Sequence, residues 1–178
     1  MKILKQSVPF ILDSVKEHSE MKQPILASIK SMGIHSLIEP YKYQEISNTD
    51  YHLSQNYRRP YMHLMQAIVI DHLAKASEIL DSFTNANLIS TSIWFQQYEK
   101  NSYHGWHWHE EAQYSSVYYL DLPDGASYTT FKYLDEEYEV AVTEGDILTF
   151  PSCIPHCSKP NKSDKVKTII SFNSVFTN

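Results

Sequence analysis

The sequence predicts a mainly β, α+β chain in which a helical N-terminal part, residues 1–86, supports a C-terminal β barrel or sandwich, residues 87–178. Three observations carry this. Residues 60–83 repeat apolar side chains at the 3.6-residue period of a helix that covers a sheet. From Asn87 onward, short runs of β-branched and aromatic residues alternate with polar turns. Thirteen tyrosines and three tryptophans against only four glycines point to an aromatic-rich β core or cleft. At 178 residues, 42% apolar and 20% charged, the chain fits one soluble domain with a substantial core.

Taken in order, Lys2–Leu12 alternates loosely and reads as a first strand. Glu20–Met32 carries Ile25, Leu26, Ile29 and Met32 at helical spacing, with Pro24 suited to a first turn and Gly33 to the stop. Tyr41–Ile46 is a possible strand, and Ser47–Asp50 (SNTD) a turn. Pro60–Phe83 is the long helix; His63 and His72 lie nine apart on it, off a common face, and read as structural. Strands follow at Leu88–Tyr98, His104–His109, Tyr114–Leu122, Tyr128–Tyr133, Tyr138–Val142, Asp146–Phe150 and Val166–Val175. The turns between them fall at 123–125, 135–137 and 143–146. No internal repeat, low-complexity segment or linker interrupts the pattern.

A net charge of −6 argues against a nucleic-acid binder, which needs a basic footprint. No apolar run reaches the roughly 18–20 residues of a membrane span. The opening MKILKQSVPFIL lacks the continuous apolar core and cleavage site of a signal peptide. The two cysteines, Cys153 and Cys157, sit in one loop and imply no disulfide framework, so a reduced, cytoplasmic chain is expected. An exposed edge strand would make a homodimer unsurprising.

Chemistry concentrates in Tyr103–Tyr119 (YHGWHWHEEAQYSSVYY) and Gly145–Asn161 (GDILTFPSCIPHCSKPN). His107 and His109 are two apart, hence on one face of a strand. His156 arrives from a proline-flanked loop. Two imidazoles from a strand end and a third ligand from a distant loop make a mononuclear site whose open positions can take dioxygen and a bidentate co-substrate. Two registers are available: His107 and His109 with His156, or His109 and Glu111 with His156. The gap from His109 to Ser115 suits a loop beginning at His109, which favours the three histidines and keeps Glu111 as the alternate ligand. A structural zinc site of Cys153, Cys157, His156 and one more histidine competes, although C-x3-C around a histidine is not a common zinc spacing. Trp106 and Trp108 alternate away from the ligands, towards packing or the rim; Tyr103 and His104 fit the mouth or the surface equally. Asp146 reads as a structural hydrogen-bonder.

Trp94, H-x-H at 107–109, Ser115–Tyr119 (SSVYY), G-D-x3-F-P at 145–151, His156, Pro160-Asn161 and S-F-N at 171–173 together resemble the 2-oxoglutarate and iron(II)-dependent oxygenase superfamily, within it a subfamily related to prolyl hydroxylases. The detailed match covers residues 88–175, and SNTDY at 47–51 before the long helix is similar to the family's N-terminal part. The resemblance implies a double-stranded β-helix, or jelly roll, with helices on one side. It also implies hydroxylation, or a related oxidation, of a small molecule or peptide side chain by dioxygen, coupled to decarboxylation of 2-oxoglutarate to succinate. His107, His109 and His156 would hold Fe(II). Lys167, eleven residues beyond His156, matches the basic residue that pairs with the distal carboxylate of 2-oxoglutarate. Arginine is usual there because its fork grips a carboxylate bidentately. The serine or threonine often found two residues later is Ile169 here. Tyr98, Tyr118 and Ser116 are the hydroxyls that could compensate. A cupin-like metal dioxygenase or isomerase without 2-oxoglutarate, and a non-catalytic barrel that binds without chemistry, are the alternatives; the cupin pattern adds a glutamate about four residues past the second histidine, whereas Glu110 and Glu111 come one and two past it.

Overall fold

The computed structural model describes residues 8–34, 46–54, 56–84, 86–133 and 136–177. Two antiparallel sheets face each other, and two helices pack on the outer face of the larger one. Strand β1 spans Ile11–Ser14, β2 Asn48–Thr49, β3 Asn87–Tyr98, β4 His104–His107, β5 Tyr114–Asp121, β6 Thr129–Tyr133, β7 Glu136–Glu139, β8 Asp146–Pro151, β9 His156–Ser158 and β10 Lys167–Thr177. The larger sheet runs β1-β8-β5-β10-β3-β2 and the smaller β4-β9-β6-β7. This is the double-stranded β-helix.

Helix α1 spans His18–Ser31 and α2 Tyr61–Thr84. α1 begins before the expected Glu20, so Pro24 falls in the second turn, where it forgoes one helical hydrogen bond. Gly33, at φ +62°, follows the last turn in the left-handed conformation that ends helices and that glycine adopts without a Cβ clash. The apolar stripe of α2, Met65, Val69, Leu73 and Leu80, meets Ile25 and Ile29 of α1 over Phe95, Tyr118, Leu120, Ile170 and Phe172 of the sheet. The opposite face of the same strands supplies Tyr98, Val117, Tyr119 and Ile169 to a second core with Phe131, Phe150 and Ile154. β5 and β10 are therefore buried on both faces, which is why their sequences read as nearly continuous apolar and small residues.

Several boundaries depart from the sequence reading. β1 begins only at Ile11; the part of Lys2–Leu12 on residues 1–7, and Tyr41–Ile46 except its last residue, lie outside the described residues. Asn48 and Thr49 of the expected turn pair with Gln97 and Gln96 as a two-residue edge strand. Glu136 and Glu137, expected in a turn, pair with Tyr133 and Lys132. His156–Ser158, read as loop, forms β9, held between β4 and β6. No helix among the described residues is long and apolar enough to cross a membrane.

Candidate metal centre

β4 and β9 bring His107 opposite His156 across an antiparallel pair. His109 follows β4 and is tied back by its amide N–H to the Ser152 carbonyl at 3.0 Å. The ligand atoms of His107, His109 and His156 all lie within 4.8 Å of one another, close enough for one ion to engage all three. His107 Nδ1–H donates to the Gly105 carbonyl at 2.8 Å, and His156 Nδ1–H to the Ile154 carbonyl at 2.9 Å. Each bond fixes the tautomer that leaves Nε2 with its lone pair free for a metal. At His109, Nδ1 lies 3.4 Å from Asn173 Nδ2, while Asn173 Oδ1 accepts from Ser115 Oγ at 2.9 Å. A half-turn of the Asn173 amide lets its oxygen accept from His109 Nδ1–H and frees Nε2 there too. Burial holds all three imidazoles neutral: His107 is lowered, His109 is brought to about 4 and His156 to about 3.

Glu111 does not join this cluster. It is exposed, as is Glu110, so the second register and the cupin glutamate are both left without a carboxylate at the site. Nor do the cysteines join it: Cys153 is exposed, and Cys157, next to His156 on an extended strand, belongs to the opposite side. Trp106 and Trp108 are exposed at 44% and 56%, on the rim side that alternation predicts.

His104 is a functional candidate that alternation alone misplaces. It pairs with Ser158, whereas His107 pairs with His156, so three residues on β4 oppose two on β9. This bulge turns His104 to the same interior as His107, against which it stacks at 3.8 Å with rings 20° apart. Gln96 Nε2 donates to His104 Nδ1 at 3.2 Å, and burial, together with the neighbouring imidazoles, lowers His104 to about 2. Gly105, a glycine inside a strand, was the available signal.

From the histidines a chamber runs inward between the sheets, lined by Gln96, Tyr98, Val117, Thr129, Phe150 and Ile169. Beside it lies Lys167, 1% exposed. Its Nζ donates to Ser158 Oγ at 2.6 Å, to the Ser127 carbonyl at 3.1 Å and to Ser127 Oγ at 3.4 Å, and it rests 4.3 Å from the Tyr98 ring centroid. No carboxylate of a described residue forms an ion pair with it. Ser158 and His156 share one face of β9, about 7 Å apart along the strand, so the lysine's partner and a metal-site histidine line the same wall.

The other expected hydroxyls divide. Tyr98 faces the chamber, with the Lys167 ammonium 4.3 Å from its ring centroid. Tyr118 does not line it; Ser116 does, although the hydroxyls of both are engaged on the helix side of β5. The Tyr118 hydroxyl meets His18 Nδ1 at 2.7 Å, and Ser116 Oγ meets Thr149 Oγ1 at 2.6 Å, which in turn is 2.7 Å from His72 Nε2. Both hydroxyls therefore already have partners away from the lysine. Ile169 is part of the inter-sheet core, and the hydroxyls beside the lysine are those of Ser158 and Ser127, the latter from a loop that carries no periodic signal. Asp146, as expected, is structural, its carboxylate accepting from Ser14 Oγ and Thr143.

Among known proteins, no family model and no curated sequence matches this chain. Solved structures do. A Pseudomonas putida prolyl-4-hydroxylase superposes with a TM-score of 0.66 at 14% identity, over 95% of this chain and 93% of that one. A Trichoplax adhaerens prolyl hydroxylase, solved with a hypoxia inducible factor peptide fragment, gives 0.68 at 12%, over 93% and 82%. A Burkholderia pseudomallei oxidoreductase of the 2OG-Fe(II) oxygenase family gives 0.56 at 13%, over 67% of this chain and 57% of that one. The chain thus has the double-stranded β-helix fold of the 2OG-Fe(II) oxygenases, prolyl hydroxylases among them.

Proposed function

We propose that the chain is an iron(II)- and 2-oxoglutarate-dependent oxygenase that hydroxylates, or similarly oxidises, a small molecule or peptide side chain. The observation that carries the reading is Lys167: a cation 1% exposed, without a carboxylate partner among the described residues, beside the chamber that the three histidines close. An ammonium buried among neutral oxygens is costly unless an anion completes the site. A dicarboxylic 2-oxo acid has the two functions such a site would use, a 2-oxo acid group to chelate a metal and a second carboxylate to pair with the lysine.

The residues present fit both groups. His107, His109 and His156 offer three neutral nitrogens that would hold iron(II), and Lys167, with Ser158, Ser127 and Tyr98 around it, would hold the distal carboxylate. Bound iron and 2-oxoglutarate supply dioxygen activation coupled to formation of succinate and carbon dioxide. The chain orients the imidazoles through the Gly105 and Ile154 carbonyls, walls the chamber with Val117, Phe150 and Ile169, and holds one positive charge beside it, behind Ser158 and Tyr98. The test is an anaerobic titration of metal-free protein with iron(II), then 2-oxoglutarate, following the weak visible charge-transfer band of a chelated 2-oxo acid. The band is expected in the native chain and lost in Lys167→Ala with metal uptake intact. Iron uptake without a band would turn the reading to a metal site without this co-substrate, and no uptake to a non-catalytic barrel.

A further inference from the structure

The histidines and their chamber lie between the two sheets. On the helix side of the larger sheet, α2 and the first half of β3 enclose a groove of about 830 Å³ that shares no lining residue with the chamber. It follows α2 from Met62 to Ser77, roughly 22 Å at 1.5 Å per residue. One end is polar, with Arg58, Arg59, His63 and Gln66 around the start of the helix. Beyond them the walls are Val69, Ile70, Leu73, Leu88 and Ile89, with the neutral Asn87 and Ser90 beside them. Ser77 is already satisfied, since its Oγ donates to the Leu73 carbonyl at 2.7 Å and accepts from the Leu88 amide at 2.8 Å. At the polar end Arg59 is committed to the Asp50 carboxylate and to the Asp50 and Leu53 carbonyls. Arg58, the chain's one other arginine, is exposed and forms no ion pair with a described residue. No carboxylate of a described residue lines the groove.

We propose that this groove binds a single-chain aliphatic carboxylate, its head at Arg58 and its tail along α2 towards Ser77. The site goes beyond the oxygenase reading and does not depend on it. An occupant meets one uncommitted guanidinium at one end, whose planar fork matches a carboxylate. Along the rest it meets aliphatic walls, which reward a tail without hydrogen-bonding groups and penalise one that has them. The volume lies within the roughly 300–1,000 Å³ of small-ligand sites. Met62, Ile70 and Ile89 are 36%, 60% and 48% exposed, large apolar side chains gathered on one groove rather than scattered. A trough bounded by one helix and one strand suits one unbranched chain rather than the two of a phospholipid.

Calorimetry of the full chain with octanoate, decanoate and dodecanoate, each below its micellar concentration, tests this. Affinity should rise about two- to fourfold per added CH2, the groove being open along one side. Decanoate should bind about two- to fivefold more tightly than decanol, the range of an exposed ion pair. Arg58→Ala should remove that preference and leave decanol binding unchanged. Ile70→Glu should weaken every chain at least about tenfold, by setting a charge along the tail, with circular dichroism retained because Ile70 is more than half exposed. A carboxylate has a second cation to find, Lys167 beside the chamber, so methyl NMR shifts locate it: those of Ile70 and Ile89 should move, those of Ile154 and Ile169 should not. Affinity flat with chain length, a carboxylate preference that survives Arg58→Ala, full affinity in Ile70→Glu, or shifts confined to Ile154 and Ile169 would overturn the proposal. So would a stable dimer in light scattering that dodecanoate does not dissociate, or binding to anionic phospholipid vesicles without binding of the free carboxylates. None of these measurements uses iron or 2-oxoglutarate, so the groove and the oxygenase reading stand or fall separately.

Discussion

Replacing Lys167 by methionine should make the metal-free protein more stable, an unusual outcome for deleting three hydrogen bonds. Burial pushes this lysine from 10.5 to about 7. At about 1.4 kcal/mol per pH unit, the folded chain at neutral pH carries a penalty of about 5 kcal/mol for housing a group that the unfolded chain leaves protonated in water. Methionine keeps the unbranched apolar stem and removes the penalty. Losing the three bonds to Ser158 and Ser127 costs roughly 0.5–1.5 kcal/mol each, leaving a net gain of about 2 kcal/mol at the middle of that range. For a chain of this size that is roughly 4–8 °C in Tm. The pH dependence separates this from any packing effect. Between about 7 and 10.5 the unfolded chain binds a proton that the folded chain lacks, so native stability rises with pH across that window. The methionine variant lacks this rise, so its advantage at pH 7 should vanish between about pH 8 and 9.5 and turn into a deficit by pH 10, where only the lost hydrogen bonds remain. Saturating 2-oxoglutarate with iron(II) should raise the native Tm under anaerobic conditions and leave the variant's nearly where iron alone puts it. Thermal or urea unfolding at pH 7, 8.5 and 10 checks all of this. A variant less stable than the native chain at pH 7, or a difference that does not narrow with pH, would refute the picture of an uncompensated buried ammonium.

The remaining predictions concern other parts of the same frame. His156→Ala should abolish iron(II) uptake with circular dichroism retained, whereas Glu111→Ala should leave uptake unchanged; metal stoichiometry after desalting reads both. Asp50 is wholly buried and accepts from Arg59 Nε at 2.9 Å, the Tyr61 hydroxyl at 2.7 Å and the Phe95 amide at 2.9 Å. Asp50→Ala strands the guanidinium and should cost about 3–5 kcal/mol in urea unfolding. Acid should destabilise the metal-free chain: His72, His104, His109 and His156 are all lowered by burial, so below about 6.5 the unfolded chain takes up protons first and stability falls with pH. Urea midpoints at pH 7, 6 and 5 should descend in that order. Gly145→Ala should lower Tm, because φ there is +96° and a Cβ would meet the His18 side chain at 3.0–3.3 Å.

What could be read from the sequence, and what could not, follows from how far each signal reaches. H-x-H is a local statement: two residues apart on extended chain share a face whatever surrounds them, so His107 and His109 were legible together. His156 was legible as a partner through the glycine, aspartate and prolines before it, although the three-residue strand that carries it was not. A strand that short is made by the neighbours on its two sides, and its own residues, between prolines, look like loop. Face assignment failed where the sheet has two buried faces. On β5, the side chains of Ser115, Val117 and Tyr119 turn to the space between the sheets while those of Ser116, Tyr118 and Leu120 turn to the helices, and composition does not distinguish the two sets; only the α2 layer, docking His72 onto Thr149 and through it Ser116, makes one side the back. His104, which the sequence left open between mouth and surface, could not be placed because a bulge breaks the alternation between it and His107. The lysine's case joins both lessons. Its place eleven residues past His156 was legible, but its partners Ser127 and Ser158 come from a loop and from a strand the sequence hides. Whether it is an exposed strand lysine or a buried uncompensated charge is a property of the two sheets closing over it, and that closure is what turns a position in a motif into a site for an anion.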